Sequence, residues 1–245
     1  SKKLENIPVI ILAGGKGERY EGPIPKQLSL INKKPIIIHL INYLSNQGFK
    51  NFIIPLGANA SKFINYFKRN EKKNFKLKNE INLNWFNAGI NVTKSERIYK
   101  SRKILKDTSH FCVCYGDILA DVNLNKSLTI LKKKNYEATL FGYFENSNFG
   151  HLKYKKNQVV NFVEKPKMND PINIGFYMFK SNLIKLFKNK KNELETEIIP
   201  KIIKRKKLGI VIHKSFQYTV NTKKDFNNLI NKLKKDKGFK KTIYE

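Results

Sequence analysis

The chain has 245 residues, of which 40% are apolar, and it carries 49 Lys and Arg against 19 Asp and Glu, a formal net charge of +30. This length and apolar content suffice for one sizeable core and predict one α/β domain. No apolar run approaches the roughly 20 residues that span a bilayer, and no signal-peptide pattern is present, so we expect a cytoplasmic protein with no membrane partner.

An excess of positive charge is typical of proteins that bind nucleic acids. Here the lysines are spread along the whole chain among many Asn and Ile residues, as coding from an AT-rich genome would give. No recognition helix, aromatic RNA-binding strand or basic tail stands out from that background. We therefore predict no specific nucleic-acid partner, and only an adhesion to polyanions that fades as salt rises.

Cys112 and Cys114 are the two cysteines of the sequence. They stand two positions apart in a predicted strand, where both side chains point to the same face and do not bridge comfortably. We predict that they are small core residues in a reducing compartment, with a metal or redox role as the alternative.

The most informative stretch is residues 9 to 27, VIILAGGKGERYEGPIPKQ. Its first four residues are apolar, which predicts a strand buried on both faces, as in parallel sheets. Small residues follow, so a large ligand can approach the main chain, whose N–H groups can cradle phosphate oxygens. The predicted nucleotide contacts of this stretch are Leu12, Ala13, Gly14, Gly15 and Gly17.

Two basic side chains follow the glycines. Arg19 supplies a planar fork of donors and Lys26, next to Pro25, supplies a point charge, and both suit phosphate. The stretch is neither a Walker loop, which needs GK[ST], nor a clean GxGxxG fingerprint. A tight strand-to-helix turn with no ligand is the structural alternative.

The segments that follow alternate between strand and helix. Apolar spacing, Pro and Gly predict helices over about 35–47, 61–69, 94–105 and 193–203, and strands over about 52–56, 82–86 and 111–115. This alternation predicts a Rossmann-like α/β fold, a mostly parallel central sheet with helices on both faces. Ligands of such sheets bind at the carboxyl ends of the strands, where the glycine-rich loop lies.

LAGGKGERY, PKQL and KKPIIIHLI, in that order, resemble the N-terminal signature of the sugar-1-phosphate nucleotidyltransferases, which join a nucleoside triphosphate to a sugar 1-phosphate. The resemblance implies that the glycine-rich loop holds the triphosphate and that Arg19 and Lys26 neutralise it. Two positions depart from the pattern: Glu18 replaces the usual Thr or Ser, and Tyr20 replaces Leu or Met. An acidic residue beside a triphosphate is unfavourable unless its side chain points outward, so we do not carry the family's loop geometry over to Glu18.

A second matching segment begins at FNAG, residues 86–89, and ends at Arg97. It resembles the VDTG…GGR loop of the glucose-1-phosphate cytidylyltransferases, the members of the family that the chain resembles most. Gly89 and Arg97 keep the pattern, and the resemblance makes both nucleotide contacts, Arg97 on the triphosphate or the base. A solvated helix charge is the alternative for Arg97. Other positions of this loop are changed, so the base and the acceptor stay open.

A carboxylate follows the predicted strand over 111–115. Asp117, in YGDILADVNL, is placed at the carboxyl end of a central strand, where it can hold a divalent ion against phosphates. The segment is similar to the YGDGVADLDL segment of the same cytidylyltransferases, whose first aspartate is a magnesium ligand. The resemblance also places Gly116 at the nucleotide. Asp121 is predicted to be a cap or turn residue.

The second half matches the acceptor side of the family in three segments: FGHL at 149–152, VNFVEKP at 160–166 and INIGFY at 172–177. The resemblance implies that Lys165 neutralises the acceptor phosphate, and that Glu164 binds sugar hydroxyls or orients that lysine. Gly150, Asn173 and Gly175 are the other implied acceptor contacts.

Polar positions late in the chain fit the pattern less closely. Glu195 or Glu197 either touches the acceptor or belongs to a solvated helix face. Family members supply a second metal ligand from an aspartate, and here Asn221 takes its place, an amide oxygen without the charge that favours Mg²⁺. Asp225 matches a later, structural acid. The residues from about 229 to 245 are predicted to form a Lys-rich amphipathic helix.

These observations predict a single nucleotidyltransferase domain over 1–245, with a nucleotide-binding half over about 8–125 and an acceptor-binding half over about 126–228. Homo-oligomers are compatible with the sequence. The predicted Mg²⁺ ligands are Asp117 and Asn221. The predicted catalytic residues act by positioning and charge neutralisation: Arg19, Lys26, Asp117 and Lys165.

The predicted reaction moves CMP from CTP to a sugar 1-phosphate such as glucose 1-phosphate and releases pyrophosphate, in cell-surface polysaccharide synthesis. Three alternatives stay open: another nucleotide, a different acceptor phosphate, or a regulatory protein that keeps the fold but has lost turnover. PKQ also occurs in cytidylyltransferases of isoprenoid synthesis, but the EKP and INIGF segments favour a sugar phosphate.

Overall fold

The computed structural model describes residues 4–15, 20, 22–105 and 107–235. The strands are β1 (Val9–Leu12), β2 (Leu30–Ile31), β3 (Lys34–Pro35), β4 (Asn51–Leu56), β5 (Asn82–Asn87), β6 (His110–Tyr115), β7 (Ile118–Ala120), β8 (Ala138–Tyr143), β9 (His151–Lys155), β10 (Gln158–Val163), β11 (Ile172–Lys180), β12 (Leu208–His213) and β13 (Gln217–Thr219). The α-helices are α1 (Ile36–Asn46), α2 (Ala60–Asn70), α3 (Lys94–Lys100), α4 (Leu124–Lys133), α5 (Ile199–Lys204) and α6 (Lys223–Lys235).

Seven strands form the central sheet, in the order β12-β8-β11-β6-β1-β4-β5. Every neighbouring pair is parallel except the two that involve β11, which runs antiparallel to β6 and to β8. The predicted Rossmann-like, mostly parallel sheet is thereby confirmed. After β1 the chain passes to β4 on one side and later to β6 on the other, which opens a crevice at the carboxyl end of β1.

Strand β1 is buried on both faces because apolar layers cover the sheet on each side. Val9 and Ile11 pack into one core cluster, which includes the apolar face of α1. Ile10 and Leu12 point the opposite way into a second cluster, which includes residues of α3 and α5. The unbroken apolar run therefore matches the two-sided burial that period-two geometry requires.

Helix boundaries differ from prediction where local hydrogen bonds decide them. Helix α2 begins at Ala60, after Asn59 rather than after Ser61. Helix α3 ends at Lys100, because its last turn tightens into a 3₁₀ turn over 101–103 instead of continuing to 105. The segment predicted as one helix over 193–203 begins with a single π turn, Leu194–Ile198, before α5.

The prediction for the last helix is wrong at its start, because α6 begins at Lys223 and not near 229. The carboxylate of Asp225 accepts hydrogen bonds from the main-chain N–H groups of Asn221 (3.1 Å) and Thr222 (2.8 Å), and the Thr222 hydroxyl accepts from the Asp225 N–H (3.1 Å). This reciprocal cap starts the helix early. The end of the predicted helix, 236–245, lies outside the described residues.

The second half also contains a hairpin outside the central sheet, formed by β9 and β10 alone. All residues of both strands are exposed. The hairpin carries the predicted acceptor residues Glu164 and Lys165 at the end of β10, whereas Asn173 and Gly175 lie on β11 of the central sheet. The fold therefore divides the predicted acceptor residues between two places.

An ion pair ties the segment that carries Asn221 to the segment that carries Asp117. Strand β13 pairs with β7, and the Val220 N–H donates to the Asp117 carbonyl (2.9 Å). Asp121 is more than a turn residue: its carboxylate lies 3.0 Å from Nε2 of His213 and accepts a hydrogen bond from the Ser215 hydroxyl. This clasp of Asp121, His213 and Ser215 joins the end of β7 to the end of β12.

The clasp shifts both pKa values. Burial by itself lowers the pKa of His213, but the bonds to Asp121 and to the Phe216 carbonyl outweigh it, so the pKa rises above 6.5. Burial by itself raises the pKa of Asp121, but the bonds from His213 and Ser215 bring it below 3.8. Both groups are therefore charged, and the ion pair forms, at pH values between the pKa of Asp121 and the pKa of His213.

We expect Asp121→Asn to destabilise the protein most near pH 5 to 6, roughly between the ordinary pKa values of the two groups. The contribution of His213, whose folded-state pKa is raised, is fully present below about 6.5 and is lost as the pH rises through the folded-state value. The free energy of unfolding by urea, measured for both proteins from about pH 4 to 9, checks this. A difference between the proteins that grows towards pH 9 would contradict the assignment.

Candidate functional site

An open cavity of about 750 Å³ lies at the carboxyl ends of β1 and β6. This volume is in the range of small-molecule sites. Seven of the predicted nucleotide or metal residues line it: Leu12, Ala13, Gly15, Lys26, Arg97, Asp117 and Asn221. Gly17 and Arg19, together with Glu18, lie outside the described residues, so their predicted roles stay predictions.

Gly14 and Gly15 have different structural reasons to be glycine. Gly14 has φ +73°, and a Cβ there would lie 3.1 Å from the main-chain nitrogen of Gly57, so a side chain is disfavoured twice. A Cβ on Gly15 would meet nothing within 4 Å. The Asn59 side chain donates to the Gly15 carbonyl (3.2 Å) and steadies the loop. Gly15 therefore faces open space, as a main-chain phosphate contact requires.

Arg97 is buried beneath this loop, with 8% of its surface exposed, and is not a solvated helix charge. Its Nη1 donates to the Ala13 carbonyl (3.1 Å), and its guanidinium packs against Gly57, where a Cβ would lie 2.5 Å from Nη2. Burial lowers its pKa, and its Nε has no hydrogen-bond partner among the described residues. Arg97 thus braces the loop and presents positive charge to the cavity.

Two predicted nucleotide glycines lie behind the cavity wall rather than on it. The Gly116 N–H donates to the Leu12 carbonyl (3.0 Å), and a Cβ on Gly116 would lie 3.3 Å from that oxygen. Gly89, with φ +112°, makes the turn after β5, where its N–H donates to the Asn87 side chain (2.9 Å). Both glycines shape the backbone around the site.

Lys26 and Asp117 form the central charge pair of the cavity, with Nζ 2.5 Å from Oδ2. Lys26 begins a 3₁₀ turn directly after Pro25, and Asp117 follows the end of β6. Both side chains are largely buried, with exposed fractions of 15% and 16%. A lysine and a carboxylate this close largely neutralise each other's charge.

Asp117 and Asn221 fit a magnesium ion by their chemistry. They line the same cavity and offer a carboxylate oxygen and an amide oxygen, which are hard ligands of the kind Mg²⁺ prefers. Mg²⁺ commonly takes one or two protein ligands and completes its shell with phosphate oxygens and water. Among the described residues, no group of three or more His, Cys, Asp or Glu forms a self-sufficient metal site.

The predicted acceptor residues on β11 adjoin the cavity through Tyr115, which lines it. Gly175 has φ +70°, and a Cβ there would lie 2.6 Å from the Tyr115 ring. Asn173 accepts from the Gly175 N–H (3.0 Å) and donates to the Tyr177 hydroxyl (2.5 Å). These bonds lie within β11 and shape its turn at Gly175, where the strand packs against Tyr115 at the end of β6.

The hairpin residues lie elsewhere. Gly150, Glu164 and Lys165 are not among the residues that line the main cavity. A Cβ on Gly150 would lie 2.5 Å from the Phe162 ring and 2.9 Å from Glu164 Oε2, so the glycine admits both side chains. The structure therefore places Gly150 beside Glu164, and neither these two residues nor Lys165 lie with Lys26 and Asp117 in the main cavity.

Sequence reasoning missed a polar cluster on the cavity wall, formed by Lys94, Tyr115 and Glu195. Lys94 Nζ lies 2.7 Å and 2.8 Å from the two carboxylate oxygens of Glu195, and the Tyr115 hydroxyl donates to the same carboxylate. Glu197 instead forms an exposed pair with Lys201 at 3.7 Å. No local signal in the sequence joins Lys94 to Glu195, because 101 positions separate them.

The fold and the cavity define an α/β protein with a ligand-sized site at the carboxyl ends of its parallel strands. The model of the family described as Nucleotidyl transferase matches residues 8–228, so the chain belongs to the nucleotidyl transferase family and is a transferase. The chain is 29% identical to the glucose-1-phosphate cytidylyltransferase of Salmonella typhimurium and 27% identical to the probable glucose-1-phosphate cytidylyltransferase of Bacillus subtilis. Each match covers 89% of this chain and 93% of the relative.

Other relatives and solved structures agree on the fold. A mannose-1-phosphate guanyltransferase 2 of Candida glabrata is 26% identical over 89% of this chain and 62% of its own length. HddC of Yersinia pseudotuberculosis complexed with GMP-PN superposes with a TM-score of 0.69 at 22% identity, over 93% of this chain and 99% of the other. A putative glucose-1-phosphate thymidylyltransferase of Bacillus anthracis gives 0.73 at 17% identity, over 97% and 98%. The described residues contain no helix that is long and apolar enough to cross a membrane.

We expect Arg97→Lys to lower the free energy of unfolding by about 1 to 3 kcal/mol, because the buried bond to the Ala13 carbonyl is lost. Urea unfolding measures this. Arg102→Lys is the matched control: Arg102 is exposed and lies over the Tyr99 ring, 4.2 Å from its centroid, so we expect a change within about 0.5 kcal/mol. Equal losses in the two variants would contradict a bracing role for Arg97.

Proposed function

We propose that the protein transfers a nucleoside monophosphate, CMP from CTP, to a sugar 1-phosphate such as glucose 1-phosphate and releases pyrophosphate. The observation that carries the proposal is the Lys26–Asp117 pair, which lies with the glycine-rich loop in one cavity at the end of β1. The similarity to the glucose-1-phosphate cytidylyltransferases of Salmonella and Bacillus supports this choice of base and acceptor. Nucleotide-sugar synthesis for cell-surface polysaccharides is the proposed setting.

The chemistry requires positioning and charge neutralisation more than covalent catalysis. An oxygen of the acceptor phosphate attacks the α-phosphorus, a new P–O bond forms, and the bond to the bridging α–β oxygen breaks, so that pyrophosphate leaves with the electron pair. Main-chain N–H groups near Gly15 hold phosphate oxygens, and Lys26 moves from Asp117 to the triphosphate. Arg19 and Lys165 keep their predicted roles on the triphosphate and on the acceptor phosphate.

Asp117 and Asn221 are the residues that would hold Mg²⁺. A bound Mg²⁺ supplies charge neutralisation and orientation of the phosphates. The chain's own task is to release the Asp117 carboxylate from Lys26. Because Lys26 is drawn to the triphosphate at the same time, the arrival of the nucleotide frees the carboxylate.

A different nucleotide is the second candidate function, with GTP as the specific alternative. The guanyltransferase relative and the HddC complex with GMP-PN favour it. The altered loop after β5 leaves the base unassigned, since Gly89 is kept while its neighbours depart from the cytidylyltransferase pattern.

Pyrophosphate release tests the proposal. The protein is incubated with Mg²⁺, each of the four ribonucleoside triphosphates and a panel of sugar 1-phosphates. We expect release with CTP and one acceptor. Release with GTP alone would show that the nucleotide substrate is GTP and not CTP. Absence of release from folded protein with every combination would contradict transfer to a sugar 1-phosphate.

Lys26→Ala should reduce kcat by about two to three orders of magnitude, because it removes a cation aimed at the charge of the reacting phosphates. Lys50→Ala is the control, since Lys50 forms an exposed pair with Glu5 at 3.3 Å, away from the cavity. Steady-state kinetics, with urea unfolding to show that both variants are folded, check this. Full activity in Lys26→Ala would refute the triphosphate assignment.

Asn221→Asp should lower the Mg²⁺ concentration for half-maximal activity by about threefold to tenfold, because a carboxylate binds the ion more strongly than an amide. A Mg²⁺ titration at saturating substrates measures it. Asn125→Asp, on the exposed face of α4, adds the same charge away from the cavity and should leave the titration unchanged. A shift of the same size in Asn125→Asp would remove Asn221 from the metal site.

A further inference from the structure

The polar cluster of Lys94, Tyr115 and Glu195 has no role in the chemistry described above. Lys94 and Tyr115 line the cavity, whereas Glu195 lies behind them and binds both. Glu195 is on the single π turn before α5, and such turns occur frequently at functional sites. The turn places its carboxylate on Lys94 while Glu197 points to solvent and pairs with Lys201.

The cluster is built to present a donor, not a net charge. Burial by itself raises the pKa of Glu195, but the bonds from Lys94 and Tyr115 outweigh it and lower the pKa below its usual value. Glu195 is therefore a carboxylate at neutral pH and cancels the Lys94 charge. An ammonium group has three N–H donors. Two are directed at Glu195, and the third lies 3.4 Å from the Tyr115 hydroxyl, a long contact that a ligand hydroxyl in the cavity can replace. A neutralised donor suits a hydroxyl better than a phosphate.

The cluster lies where the nucleotide wall meets the acceptor strand. The Tyr115 ring contacts Gly175 and lies edge-on to Tyr177, with centroids 6.2 Å apart. The Tyr177 hydroxyl in turn accepts a hydrogen bond from the Asn173 side chain. A continuous set of contacts therefore runs from Lys94 to the predicted acceptor segment on β11, and it stays apart from the bond between Arg97 and the glycine-rich loop.

We propose that Lys94 donates a hydrogen bond to a ring hydroxyl of the sugar acceptor and thereby selects among sugar 1-phosphates. Glu195 and Tyr115 are positioning residues that hold the ammonium group at the cavity wall. The proposal rests on the proposed function and deepens it, since it assigns to Lys94 the recognition of the sugar rather than of either phosphate.

Steady-state kinetics with deoxygenated acceptors test it. The sugar 1-phosphate with the highest kcat/KM in the panel and its monodeoxy analogues are compared in the wild-type protein and in Lys94→Met. In the wild type we expect one analogue to lose roughly 10- to 100-fold in kcat/KM, the effect of one hydrogen bond to a charged group. Lys94→Met should lower kcat/KM for the parent sugar by a similar factor. For that analogue, which already lacks the hydroxyl, Lys94→Met should lower kcat/KM little further.

Matched variants separate recognition from structure. Glu195→Gln should raise KM for the acceptor less than Lys94→Met does and leave KM for the triphosphate within about twofold, since it acts through Lys94. Lys94→Arg, which keeps a donor, should recover part of the loss. Glu197→Gln and Lys201→Met alter the exposed pair on the same segment and should leave both KM values unchanged.

The outcomes are distinguishable. If the wild-type protein releases pyrophosphate but Lys94→Met behaves like Lys201→Met, or raises KM for the triphosphate instead, the proposal for Lys94 is wrong while the proposed function stands. If Lys94→Met lowers kcat/KM for the parent sugar and for every analogue by the same factor, Lys94 does not recognise a sugar hydroxyl. If the wild-type protein uses no sugar 1-phosphate, both proposals fail together.

Discussion

The close approach of three backbone segments at the carboxyl end of β1 is the constraint on which the site depends. Gly14 lies so near Gly57 that a Cβ on Gly57 would be 2.7 Å from the Gly14 carbonyl oxygen, and the Arg97 guanidinium fills the remaining space. Gly116 lets the end of β6 pass close to Leu12 on the other side, where a Cβ would lie 3.3 Å from the Leu12 carbonyl oxygen. Open space above Gly15 and a carboxylate at Asp117 follow from this packing.

Charge around that point is balanced internally. Lys26 is paired with Asp117 and Lys94 with Glu195, while Arg97 is held by a carbonyl. Although the chain has a high net charge, each of these three cations at the cavity wall has a partner. Both pairs are formed in the structure, but only Lys26 lies beside the carboxylate proposed to hold a metal. This difference supports the proposal that Lys26 binds phosphates and that Lys94 binds a neutral group.

Short-range patterns predicted what depends on neighbouring residues. The apolar run at 9–12 and the alternation of strands and helices gave a mostly parallel sheet, and the glycine pattern with the PK lysine marked the cavity before its geometry was known. Helix ends were predicted less well, because caps such as Asp225 and the tightened turn at 101–103 depend on particular side-chain bonds. The π turn at Leu194–Ile198 left no recognisable pattern.

By itself the sequence determined the class of fold, the family resemblance and the strand-end position of Asp117, since periodicity and glycine spacing are local properties of a chain. Only the tertiary structure decided that Arg97 is buried under the loop, that Asp121 pairs with His213, and that Glu195 rather than Glu197 reaches Lys94. Each of these contacts joins residues far apart in the chain. Packing and desolvation select such partners, and neither is readable from residue spacing.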